Sequence, residues 1–174
     1  MMKLIQLEDL SKESLIKLIH VYSKNWATLD GLWFRNVEDD FGIDVAMKLD
    51  VKMWQSYAEA EAKRIKETLK FTEGGFEALF NIVALTLPAV GTRFHYKIEE
   101  ISPNRVIWHT VRCFNQEIRL KHELGEFPCK QVGITHWDAW AKVADPRIKV
   151  ECLFCPPDPH PEGTWCKWAF TLPE

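Results

Sequence analysis

Four of the five cysteines fall in the last quarter of the chain, at Cys129, Cys152, Cys155 and Cys166, and their spacing restricts the fold more than any other feature. Cys152 and Cys155 form a C-x2-C pair, Cys166 returns eleven positions later, and Cys129 arrives from a separate segment behind Pro128. A pair of this kind, joined by two further thiols that the fold brings in, can supply a tetrahedral four-sulfur cage for zinc or a 4Fe-4S iron–sulfur cluster. Pro156, Pro157, Pro159 and Pro161 follow the pair and stiffen the loop, so the thiolates lose little entropy in clamping an ion. The odd number of cysteines argues against a disulfide framework. Cys113 is then the spare, able to replace one of the four. Two other readings stay open: small buried hydrophobes that happen to cluster, and a redox dithiol at Cys152 and Cys155. His160 is an alternative ligand, although a histidine between prolines reads first as a surface residue.

A chain of 174 residues fits a single domain, residues 1–174, with core enough to need no staples. Hydrophobic residues at 47% and charged residues at 27% exclude wholesale disorder. A net charge of -3 leaves no electrostatic footprint for nucleic acid or an anionic membrane. The opening residues, MMKLIQLEDLSKES, turn acidic and polar too soon for a signal peptide. No run approaches the roughly eighteen apolar residues that a bilayer span requires. The expectation is a cytoplasmic protein.

The two halves differ in pattern. In residues 1–90 the periodicity is helical. Ser11 suits an N-cap, and Leu15, Leu18, Ile19, Tyr22, Trp26 and Leu29 recur at spacings of three and four, predicting a helix to about Asn36. Asp39-Asp40-Phe41-Gly42 reads as a break. A second amphipathic helix runs from Ile43 to Leu69 with a restart at Asp50, and a third from Phe76 to Leu87 is ended by Pro88. In residues 91–174, Thr92–Ile101 and Arg105–Phe114 alternate as strands of a hairpin. Gln116–Glu126 reads as a short helix, and Pro128-Cys129 opens another that Asp145-Pro146 stops. Strands at Ile148–Phe154 and Trp165–Leu172 close the chain. The predicted class is α+β: N-terminal helices packed on a C-terminal antiparallel sheet, with an inserted helix and a cysteine metal site.

Eight tryptophans imply large flat surfaces packed together or an aromatic-lined pocket. Trp26, Asp30 and Trp33 share one helix, with Asp30 a neighbour of Trp33 and Phe34. A carboxylate flanked by indoles has the means to raise its pKa and act as acid, base or ligand anchor. The structural alternative pairs Asp30 with Arg35 or Lys24, with Gly31 letting another element come close. Trp54, Glu61 and Arg64 on the second helix are the residues placed to reach this site. His136 and His109, set among tryptophans, read as hydrogen-bonded core histidines before they read as catalysts. No GxSxG, HExxH, GxGxxG or glycine-rich phosphate loop is present, which argues against nucleotide chemistry.

The blocks Pro128-Cys129-Lys130-Gln131-Val132-Gly133, Val150-Glu151-Cys152 and Gly163 to Phe170 resemble the bacteriochlorophyll 4-vinyl-reductase-type small-molecule-binding domain. The chain as a whole is similar to bacterial and archaeal proteins grouped with the L-2-amino-thiazoline-4-carboxylic acid hydrolases, through Asn25-Trp26 to Phe34 and Glu61-Ala62-Lys63-Arg64. The resemblance implies helices on an antiparallel sheet with a ligand cavity between them, and shared cysteines at Cys129, Cys152 and Cys166, Cys155 being an addition. It also implies hydrolysis of a cyclic C–N bond, but an ion ligated by four thiolates has no open position for an attacking water. The leading expectation is therefore a small-molecule-binding domain with a structural zinc. Asp30 is the catalytic candidate should it be a hydrolase; iron–sulfur redox chemistry is the alternative for the metal. The tryptophan surface suits a homodimer.

Overall fold

The computed structural model describes residues 4–91 and 94–173. After a short 3-10 turn at Leu7–Asp9, α1 (Lys12–Phe41) and α2 (Ile43–Leu69) form a long hairpin. Then come α3 (Gly75–Ala84), α4 (Leu87–Val90), β1 (Phe94–Ser102), β2 (Arg105–Cys113), α5 (Phe114–Lys121), α6 (Lys130–Ala144), β3 (Lys149–Phe154) and β4 (Cys166–Thr171). The strands make one antiparallel sheet in the order β1-β2-β4-β3. The class is α+β, as the change in periodicity implies. Thr92, the expected start of the first strand, lies outside the described residues.

Several boundaries differ from expectation for identifiable reasons. Ser11 caps α1, its Oγ accepting from the Ser14 backbone N–H at 3.1 Å. The helix then passes through Asp39-Asp40 instead of stopping near Asn36. Arg35 pairs with Glu38 and Asp39 at 3.3 and 2.6 Å, and Glu38 accepts two hydrogen bonds from Arg119 at 2.8 and 2.9 Å. These contacts hold the last turn until Gly42, whose φ of 84° reverses the chain. No restart occurs at Asp50, because its carboxylate accepts from the Trp54 indole one turn on and so caps no backbone N–H. Pro88 does not end the third helix; α3 stops at Ala84 and Pro88 sits in the first turn of α4, where it needs no donor. The expected Gln116–Glu126 helix begins earlier and stops at Lys121, before left-handed residues at Glu123 and Gly125.

α6 is the middle layer. It lies against the sheet on one side and α2 on the other, with α3 beside it and α1 outermost on α2. Trp137 faces the sheet, its ring centroid 4.9 Å from Phe170 and 5.2 Å from Trp108. Trp140 faces α2, edge-on to Trp54 at 6.3 Å. Alternation along β2 turns Val106, Trp108 and Thr110 inward, as a half-covered strand requires. The far end of α6 is tied down twice. Lys66 donates to the Val143 and Ala144 carbonyls at 2.9 and 3.2 Å, and the buried Asp145 carboxylate accepts from Gly75 N–H at 3.0 Å.

The layers close because of one small residue. A Cβ on Gly133 would lie 2.5 Å from Trp168 Cζ2, so α6 rests on that indole only without a side chain there. Gly31 is the contrast: a Cβ placed on it would meet nothing within 4 Å among the described residues. Gly133→Ala is expected to lose roughly 1–3 kcal/mol by overpacking. Gly31→Ala is expected to gain up to about 1 kcal/mol from helix propensity. Urea denaturation of the two variants measures both signs; an unchanged midpoint in Gly133→Ala would contradict the close packing of α6 on Trp168.

Candidate functional site

The hairpin of α1 and α2 opens a cleft of about 240 Å³, lined by Trp26, Leu29, Asp30, Trp33 and Phe34 from α1 and Asp50 and Met53 from α2. Helical spacing puts Trp26, Leu29, Asp30 and Trp33 on one face of α1. Trp26 is half-buried, stacking on Tyr57 at 5.6 Å and meeting Trp54 edge-on at 6.0 Å. Trp33, expected to be buried with it, is 69% exposed and stands at the mouth. Asp30 has no basic partner among the described residues, since Arg35 turns to Glu38 and Asp39. Burial raises its pKa. Across the cleft Asp50 is pushed up to about 7, first by burial and then by the charge of Asp30, against the hydrogen bond from Trp54.

Behind this cleft runs an aromatic cluster. Trp54 touches His136 at 5.3 Å, and His136 lies over Trp140 at 4.5 Å. Burial pushes His136 down to about 3, so its ring is neutral at physiological pH. The expectation of a hydrogen-bonded core histidine fails at one atom: Nδ1 is buried with no partner among the described residues, as are Trp140 Nε1 and Glu61 Oε2. Glu61 does share this neighbourhood, its Oε1 accepting from the Tyr57 hydroxyl at 3.0 Å and Leu87 N–H at 2.9 Å. Burial raises its pKa. Arg64, one turn beyond Glu61, is exposed, and its charge acts on Tyr57. His109 lies apart, paired with Glu99 at 3.2 Å across the β1–β2 hairpin.

Asp50 is the cleft residue that sequence reasoning misses, because an aspartate inside a long helical pattern reads as a restart. The available signal is Trp54 four residues later, an indole donor one turn away. His136 stands out in the sequence, and helical spacing alone sets it beside Trp140, but its place beside Trp54 depends on α6 lying against α2.

The cysteines gather at the opposite end of α6. Cys129 is its N-cap residue, Cys152 is on β3, Cys155 follows that strand, and Cys166 begins β4. The sulfurs of Cys129 and Cys155 are 3.6 Å apart, and the Cys155 thiol also hydrogen bonds with Cys152 and Cys166. These contacts hold Cys155 protonated and pull Cys152 and Cys166 down, Cys166 to about 7. Among the described residues, no group of three or more His, Cys, Asp or Glu side chains is arranged to hold a metal ion. Cys113 adjoins the cluster, pushed up to about 12 chiefly by burial. His160 is more enclosed than a surface histidine, 15% exposed in its side chain, and pairs with Glu126 at 3.5 Å. Lys130 and Asp158 clamp the proline-rich loop to α6 at 2.8 Å.

A family model covers residues 8–172, nearly the whole chain. The chain belongs to the family of unknown function DUF6125. This DUF6125 protein matches no curated protein. Among solved structures it is similar to the crystal structure of the phenol-responsive sensory domain of the transcription activator PoxR with phenol. The TM-score is 0.53 at 14% identity, over 82% of this chain and 72% of that one. At that identity the likeness shows a shared fold. Neither the vinyl-reductase-type resemblance of the cysteine block nor the hydrolase resemblance of the whole chain is confirmed by these matches. No helix among the described residues is long and apolar enough to cross a membrane.

The raised Asp50 has a measurable consequence. As pH rises the unfolded chain releases this proton near the ordinary carboxylate value, about 3.9, whereas the fold keeps it to about 7. Stability is therefore lost between those two values and is level above them. Asp50 faces Asp30 from α1 and the Trp54 N–H on its own helix. From pH 5 to pH 8 the loss is roughly 3 kcal/mol. The stability of Asp50→Asn relative to the parent, measured by urea denaturation, is expected to improve by about that amount over this interval. A difference independent of pH would show that Asp50 is already ionised at pH 5.

Proposed function

We propose that this protein is a ligand-binding domain whose aromatic interior, entered from the α1–α2 cleft, receives a small organic molecule. The observation that carries this reading is a pair of buried polar atoms without partners among the described residues, His136 Nδ1 and Trp140 Nε1, on rings 4.5 Å apart. Each such atom costs about 1–3 kcal/mol when unsatisfied. Native folds keep few of them, and such a pair suits a site where the ligand supplies the partner. A neutral His136 and an indole N–H offer an acceptor or donor beside a fixed donor, with flat rings to stack on. The fold-neighbour, a sensory domain solved with phenol, supports a small aromatic guest in this architecture.

The cysteine cluster serves in this proposal as the structural centre, with Cys129, Cys152, Cys155 and Cys166 holding zinc as thiolates. Supporting it, the 3.6 Å between Cys129 and Cys155 sulfurs is near the edge of about 3.8 Å of a tetrahedron with metal–sulfur bonds of ~2.3 Å. A closed cage of this kind ties α6, β3 and β4 together and takes no substrate.

Thermal-shift screening of small phenols and heterocycles tests the first part. A ligand at a hundred times its Kd is expected to add about 2.7 kcal/mol, a rise of roughly 5–10 °C for a domain of this size. His136→Phe, which keeps an aromatic ring and removes both nitrogens, is expected to remain folded and lose that shift. A full shift in His136→Phe would place the ligand elsewhere, and no shift from any compound would end the small-molecule reading. Metal analysis after anaerobic purification tests the second part. Zinc stoichiometric with the chain, lost in Cys155→Ser, is expected; a brown protein with iron and sulfide, or a metal-free one, would overturn zinc.

A further inference from the structure

We propose that the outer cleft between α1 and α2 selects an organic cation, a quaternary ammonium or protonated amine, held between two carboxylates and three aromatic faces. The proposal rests on the small-molecule reading above and adds the charge of the group that the cleft receives. Asp30 and Asp50 approach from facing helices into a space walled by Trp26, Trp33 and Phe34. The two acids are close enough for the charge of Asp30 to act on Asp50. Neither pairs with a lysine or arginine among the described residues, although Arg35 lies little more than a turn from Asp30. Arg35 is engaged instead by Glu38 and Asp39. The cleft thus holds negative charge without a protein counter-ion among the described residues.

The walls decide what kind of cation answers it. Ring faces carry negative quadrupole density and attract a cation lying over them. A hydrated divalent ion demands several oxygen ligands and gains little from indole faces. A soft organic cation gains from both carboxylates and rings. A neutral guest forfeits the charge interaction, and an anion is repelled. Trp33 stands exposed at the mouth, and the hydrogen bond from Trp54 is what competes for Asp50.

The test compares choline with its neutral isostere 3,3-dimethylbutan-1-ol, by calorimetric titration of the full chain at pH 8, where Asp50 is ionised. Choline is expected to bind about tenfold more tightly than the alcohol, within the range of cation–π and carboxylate attraction. Asp30→Asn with Asp50→Asn is expected to abolish that preference, and Trp33→Leu to weaken choline more than the alcohol. Circular dichroism checks the fold. Should the double variant fail to fold, Asp30→Asn alone is expected to reduce the preference. Equal affinity for the two compounds, a preference that survives in the Asp variants, or no choline binding would overturn the proposal. In any of those cases a neutral aromatic compound that still shifts the melting temperature through His136 leaves the broader ligand-binding reading standing. The two failures are thereby distinguished.

Discussion

The contact between Gly133 and the Trp168 indole sets the spacing on which the other layers depend. With no side chain at position 133, α6 comes down onto β4 closely enough for Trp137 to pack into Phe170 and Trp108. On the adjoining face of α6, His136 and Trp140 then meet Trp54 of α2. A bulkier residue would lift the helix off the sheet and crowd it against α2. Interiors pack like crystals, so such a displacement has nowhere to dissipate.

One helix also connects the two unusual regions. Cys129, at the start of α6, belongs to the sulfur cluster with Cys155, and Trp140, on the same helix, belongs to the aromatic interior. The separation is about 16 Å at helical rise. The cluster anchors one end of α6 against β3 and β4, and Lys66 and Asp145 anchor the other. A helix pinned at both ends holds the His136 ring in place even though Nδ1 has no partner among the described residues. Rigid support of this kind is what a recognition site needs, because a guest then finds its polar partners already oriented.

Much of the architecture is legible in the residues, and the exceptions have identifiable causes. The change from helical to strand periodicity near residue 90, the Ser11 cap and the hairpin of β1 and β2 depend on neighbours close in sequence, and all are present. The boundaries at Asn36 and Glu126 depart where a distant partner or a left-handed backbone overrides local preference, whereas Asp50 is taken up by Trp54 one turn on and Pro88 by the first turn of α4. Arg119 holds Glu38 across the interval between α1 and α5. Gln116, in a polar stretch with nothing to mark it for the interior, is buried and exchanges hydrogen bonds with the Phe127 backbone at 2.8 and 2.9 Å. In the cleft, Trp26 and Asp30 are visible as helical neighbours, but neither the exposure of Trp33 nor the part played by Asp50 can be read from one helix. Exposure and facing carboxylates are properties of two helices together.

By itself the sequence determined the α+β class, the gathering of four cysteines in the last quarter of the chain, and the aromatic richness that any interior would have to absorb. These follow from composition and short-range spacing. The tertiary structure alone decided that Asp50 faces Asp30, that His136 meets Trp54 with a nitrogen left unpaired among the described residues, and that Cys155 meets the other three cysteines of the cluster. The reason is geometric: each of these relations joins residues on different elements or places them against a neighbouring one. Their distances are set by how closely α6 settles between the sheet and α2, which no local pattern encodes.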